Sequence, residues 1–88
     1  MDSPYKILIA DDEKGIREML KDLLSSTFDV ETIDRGDTVI ERLKKERFDI
    51  LILDLHLPGM GGIDVLRVIS ETRMKIVVVI ITASNDVH

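Results

Sequence analysis

No cysteine occurs anywhere in the chain, which excludes disulfides and cysteine-ligated metal sites and makes a cytoplasmic location the expectation. No apolar run is long enough to cross a bilayer, although 44% of the residues are hydrophobic. The opening Met1-Asp2-Ser3-Pro4-Tyr5-Lys6 lacks the basic-then-apolar pattern of a secretory signal. Positive charge is in deficit. A formal net charge of -5 gives no general electrostatic reason to bind nucleic acid, and it favours a cation or a basic partner surface. Internal repeats, low-complexity tracts and linker-like shifts of composition are also missing, and 88 residues suit one small domain, residues 1–88.

What the chain does have is a series of short apolar runs that end on acids. The central one is Ile50-Leu51-Ile52-Leu53, which reads as a strand buried on both faces and closes on Asp54. Pro58-Gly59 then turns the chain, and Gly61-Gly62 bend it again before a helical pattern at Ile63, Leu66 and Ile69. Upstream, Tyr5 to Ala10 is a first strand that runs into Asp11-Asp12-Glu13. Ile16, Met19, Leu20, Leu23 and Leu24 follow at the spacing of one helical stripe over Lys14–Ser25, with Asp12 as its expected N-cap. Phe28 to Ile33 alternates with charges, as an edge strand does. A second helix is expected after Asp34-Arg35-Gly36-Asp37, with Val39, Ile40 and Leu43 inward, and a third over about Gly62 to Thr72. The run Ile76 to Ile81 is entirely β-branched and is the strongest strand signal of all.

Alternating strands and helices with short connections specify an α/β fold with a parallel, doubly wound sheet. The charged second strand belongs at an edge, so the expected order is 2-1-3-4, as in flavodoxin-like folds. In that order the first and third strands are neighbours. Asp11, Asp12 and Asp54 then converge at the carboxyl ends of the strands, where such sheets bind ligands.

Like charges about 4 Å apart repel by roughly 4 kcal/mol at an effective dielectric of about 20. Such a cluster calls for protonation of one member or for a hard divalent cation, and Mg²⁺ suits two or three carboxylates. A neutralised site would let a carboxylate attack phosphorus and form an acyl phosphate. Thr82, at the end of the fourth strand, could supply a hydroxyl to a phosphoryl oxygen, and Ala83 could supply space and a backbone N–H. Each part also has a plain structural reading: Asp12 as a cap, Thr82 as a strand terminus, Pro58-Gly59 as a turn. Their joint placement at three strand ends is what favours chemistry.

The ordered set Asp11-Asp12, Asp54 with Leu57-Pro58-Gly59-Met60 behind it, and Thr82-Ala83 resembles the receiver domain of bacterial two-component response regulators, from about Tyr5 onward. The resemblance implies Asp54 as phospho-acceptor, charged from the phosphohistidine of a sensor histidine kinase. It implies Asp12 and Asp54 as direct Mg²⁺ ligands together with the backbone carbonyl of His56, and Asp11 acting through water. Thr82 would be the switch hydroxyl, with the side chains of His56 and Ser84 tuning the lifetime of the phosphorylated state. Such a module is not an enzyme in the ordinary sense, because it assists its own phosphorylation and dephosphorylation.

Two departures from the family pattern stand out. Gly61 occupies a position where many relatives carry Asp. The chain also stops before the fourth helix, fifth strand and fifth helix of a complete receiver, which carry a lysine and an aromatic switch residue. Lys75 precedes the fourth strand and cannot replace that lysine. Weak phosphoryl transfer is therefore expected, as is self-association through an exposed strand Ile76–Ile81. The competing functions are an assembly module without phosphoryl chemistry and an aspartate-nucleophile phosphatase of the haloacid dehalogenase type. The latter wants a second Asp two residues beyond the nucleophile, where this chain has His56.

Overall fold

The apolar runs become strands and the amphipathic segments become helices in a computed structural model that describes residues 5–81. In chain order these are β1 (Lys6–Ala10), α1 (Lys14–Leu24), β2 (Asp29–Ile33), α2 (Gly36–Lys45), β3 (Ile50–Asp54), α3 (Gly62–Glu71) and β4 (Val77–Ile81). Every strand pair is parallel and the sheet order is β2-β1-β3-β4, as the sequence pattern predicts. Register follows from hydrophobic matching along the central pair. Ile7 lies beside Ile50 and Ala10 beside Leu53, so both strands present apolar residues to both faces.

Side-chain alternation splits the core into two layers. Leu8, Ala10, Leu51 and Leu53 face α2 and α3 and pack with Val39, Ile40, Val65 and Ile69. Ile7, Ile9 and Val30 face the other way, toward Leu20, Leu24 and Phe28. Helix α1 covers that second face over β1 and β2. Its stripe is wider than the surface it meets: Leu20 and Leu24 are half-buried, whereas Met19 is 50% exposed and Leu23 66% exposed.

The start of α1 corrects one expectation. Glu13 is the N-cap residue and no side chain caps the helix, so Asp12 is not its cap. The adjacent Asp11 explains this, because its carboxylate accepts the Glu13 N–H and draws the entry turn toward β1.

At the amino ends of the strands the polar groups form a clasp. Lys6 Nζ lies 3.1 Å from Glu31 and 2.8 Å from Glu46, and Arg42 pairs with the same two carboxylates. Both cations stand over the ring of buried Phe48. At the other side of the sheet, β4 pairs with β3 alone among the described residues, and Val77 (61%) and Val79 (45%) are exposed. No helix among the described residues is long and apolar enough to cross a membrane.

Candidate functional site

The site is assembled by strand order. Because β1 and β3 are parallel neighbours, the residue after Ala10 and the residue after Leu53 emerge side by side. Asp11 continues the ladder past the strand, its N–H donating to the Ile33 carbonyl at 3.1 Å. Its side chain is thus fixed beside Asp54, and Asp12 completes the group: oxygens of Asp11, Asp12 and Asp54 all lie within 4.8 Å of one another. Asp11 is 4% exposed and Asp54 6% exposed, while Asp12 faces solvent.

Two of the carboxylates are held by local backbone. Glu13 N–H donates to Asp11 Oδ1 at 2.8 Å. His56 N–H donates to Asp54 Oδ1 at 3.0 Å, which leaves Oδ2 without that bond. Burial pushes the Asp11 carboxyl above the usual aspartate range; the Glu13 N–H opposes this, and the charges of Asp54 and Asp12 add to it. No ion pair among the described residues engages these three acids. The nearby Arg17 donates instead to the Asp11 main-chain carbonyl, at 2.9 Å. Sequence reasoning missed Arg17, whose place six residues beyond Asp11 carried no recognisable motif.

The segment after Asp54 is anchored at several points. Leu57 is buried in the α2–α3 layer, and Gly62 N–H closes the base by donating to the Leu55 carbonyl at 3.1 Å. Gly59 adopts φ 78°, a left-handed turn that an L side chain disfavours. Space is open around Gly61, where a Cβ would meet nothing within 4 Å, so glycine there is not a packing requirement. The His56 side chain is exposed. Thr82, Ala83 and Ser84 lie outside the described residues; Ile81, the last residue of β4, pairs with Asp54. A cavity of about 600 Å³ lies at the opposite end of the sheet, lined by residues such as Leu43, Phe48 and Met74. The acids are therefore remote from it.

The donor set is all oxygen, anionic and largely enclosed, which is the chemistry of a hard divalent cation. Comparison with known families decides the wider identity: the response regulator receiver domain matches residues 7–88. This chain belongs to that family. The receiver domain is 38% identical over 82 residues to the DNA-binding response regulator MtrA of Mycolicibacterium smegmatis, covering 92% of this chain and 36% of that protein. It thus spans about a third of the length of that relative. Among solved structures it is similar to the BeF3-activated DrrB receiver domain, with TM-score 0.81 and 30% identity over 98% of this chain and 70% of that one. It is also similar to the MaeR response regulator bound to beryllium trifluoride, with TM-score 0.85 and 26% identity over 93% and 70%. Receiver domains are signalling modules of two-component systems rather than conventional enzymes, and the fold found here is theirs.

Proposed function

We propose that this receiver is a cytoplasmic phospho-accepting module in which Asp54 takes a phosphoryl group from the phosphohistidine of a sensor histidine kinase. The observation that carries this reading is the convergence of Asp11, Asp12 and Asp54 within 4.8 Å, with Asp54 at the end of a central strand. Asp54 Oδ2 forms the new bond to phosphorus. The P–N bond of the donor breaks, and its electron pair leaves with the imidazole, which takes up a proton. The donor atoms fit Mg²⁺, with Asp12, Asp54 and the His56 carbonyl as ligands and Asp11 through water; when bound it supplies positive charge against the phosphoryl oxygens.

Around that event the chain's own groups have separate tasks. The His56 N–H fixes the rotamer of Asp54, and the Glu13 N–H fixes that of Asp11. Thr82 and the Ala83 N–H receive the phosphoryl oxygens, while the His56 and Ser84 side chains govern water access and so the lifetime of the acyl phosphate. With no lysine or arginine ion-paired to the acids among the described residues, the 88-residue chain should be labelled slowly, since such catalysis is almost wholly electrostatic.

The test is incubation with acetyl phosphate and Mg²⁺, followed by intact-mass measurement. Slow, Mg²⁺-dependent addition of one phosphoryl group, abolished in Asp54→Asn, is the expected result. Labelling that persists in Asp54→Asn would reject the acceptor assignment, and fast stoichiometric labelling would reject the need for a further cation.

A second reading concerns assembly. The exposed, uncharged edge Ile76–Ile81 fits antiparallel pairing with the same strand of a second copy about a two-fold axis. The net charge of -5 gives no general electrostatic reason for direct contact with nucleic acid.

A further inference from the structure

Among the described residues, one connection of the fold bears directly on the segment that follows Asp54. It is the short link between β2 and α2. Gly36, the first residue of α2, is buried, and a Cβ placed on it would stand 1.6 Å from the Met60 carbonyl oxygen and 2.6 Å from the carbonyl carbon. Those are backbone atoms, so no side-chain rotation relieves the overlap. The same glycine donates its N–H to the Pro58 carbonyl at 3.0 Å. One residue on, a Cβ at Gly59 would meet Asp37 Oδ1 at 2.5 Å and Arg35 Nη2 at 2.8 Å. Those two side chains are themselves bonded, Arg35 Nε donating to Asp37 Oδ1 at 3.1 Å.

We infer that the β2–α2 connection positions the phosphoryl-acceptor site, with Gly36 as the positioning residue that lets the segment Pro58–Met60 close down. The inference rests on the acceptor role proposed for Asp54. Its physical content is that a side chain at 36 has nowhere harmless to go. Helix α2 cannot retreat without uncovering Val39 and Ile40, both in the core. The base of the 54–62 segment is pinned by the Gly62 N–H to Leu55, and Leu57 is held in the same core. The push must therefore be absorbed by backbone torsions between His56 and Met60, close to the His56 carbonyl and to the N–H that holds Asp54. Coupling of this kind is reciprocal, so occupancy at the acids biases the β2–α2 connection as well.

The experiment compares wild type, Gly36→Ala and Gly61→Ala, the last a substitution in the same segment where a Cβ meets open space. Mg²⁺ dissociation constants and acetyl phosphate labelling rates are measured beside circular dichroism and a thermal melt. Gly36→Ala is expected to keep the wild-type circular dichroism while its Mg²⁺ dissociation constant rises about tenfold or more, the usual penalty for disturbing groups that orient ligands; labelling slows in parallel. Gly61→Ala should match wild type. A folded Gly36→Ala with a lower melting temperature but unchanged Mg²⁺ affinity and labelling would overturn the inference, because the glycine would then serve packing alone. Should Gly36→Ala fail to fold, the wild-type Gly36 amide followed by NMR during Mg²⁺ titration decides: movement in step with the His56 amide supports the coupling, and a still Gly36 amide beside a moving His56 amide overturns it. Wild type that binds no Mg²⁺ at all would remove the acceptor reading first, and this inference with it.

Discussion

Asp12 is the exposed member of the acid group, and its exposure makes it the cleanest residue to test. Asp11 and Asp54 are buried and hydrogen-bonded to main-chain N–H groups, so replacing either disturbs the fold as well as the site. Asp12 is not the cap of α1. Removing it should therefore weaken cation binding with little structural cost. Ligand binding stabilises a protein by mass action, about 2.7 kcal/mol at roughly a hundredfold excess over the dissociation constant. Wild type should melt at higher temperature with Mg²⁺ than without, and Asp12→Ala should lose most of that shift. Equal shifts in the two proteins would show that Asp12 is not a ligand.

Among the elements, the clasp of Lys6, Glu31, Arg42 and Glu46 joins β1, β2 and α2 at the end of the sheet away from the acids. The Arg42 guanidinium holds the Glu31 carboxyl below its usual range, with Lys6 adding to the effect. Lys6 first, then Arg42, does the same for Glu46. A carboxylate whose folded pKa is depressed contributes stability above its unfolded value, near ~4.3 for glutamate, and loses it as pH falls through the folded value. Each pair is about a third exposed, so solvent screening keeps the contribution small. Glu31→Gln should lower the melting temperature at neutral pH, and the gap to wild type should close below about pH 4. A gap that stays constant well below that pH would mean that the carboxylate charge contributes nothing to the clasp.

At the scale of the whole molecule, the two sides of the sheet differ sharply. Charged β2 forms one edge, as natural edge strands do, whereas β4 presents Val77, Val79 and Ile80 to solvent with no lysine or proline among them. Such an edge is a template for another strand. A chain of 88 residues made of this sequence is expected to sediment as a dimer at high concentration and to dissociate on dilution. Val79→Lys should shift the equilibrium to monomer. Val79 is the right position because it is exposed, while Val78 packs against the α2–α3 layer and would damage the core. A monomer at every concentration, indifferent to the lysine, would refute pairing through β4.

Periodicity in the sequence determined the elements, their order and the sheet topology, because short β-branched and apolar runs such as Ile50–Leu53 and Val77–Ile81 read as parallel strands and the charges of β2 suit an edge. It also determined the acid group, since each acid ends an apolar run and parallel strands deliver such residues to one crevice. Local pattern could not reveal what depends on contact between distant parts of the chain. Asp12 looked like a helix cap until the neighbouring Asp11 was seen to take the Glu13 N–H. The spacing marks one apolar stripe on α1 but not its depth: a helix covers only as much as the opposing strands offer, and Met19 and Leu23 fall outside that area. Gly36 stood in the sequence only as part of the Asp34–Asp37 segment before the second helix. Only the tertiary structure decided that it abuts Met60, because a steric requirement between segments 24 positions apart leaves no trace in the spacing of either one.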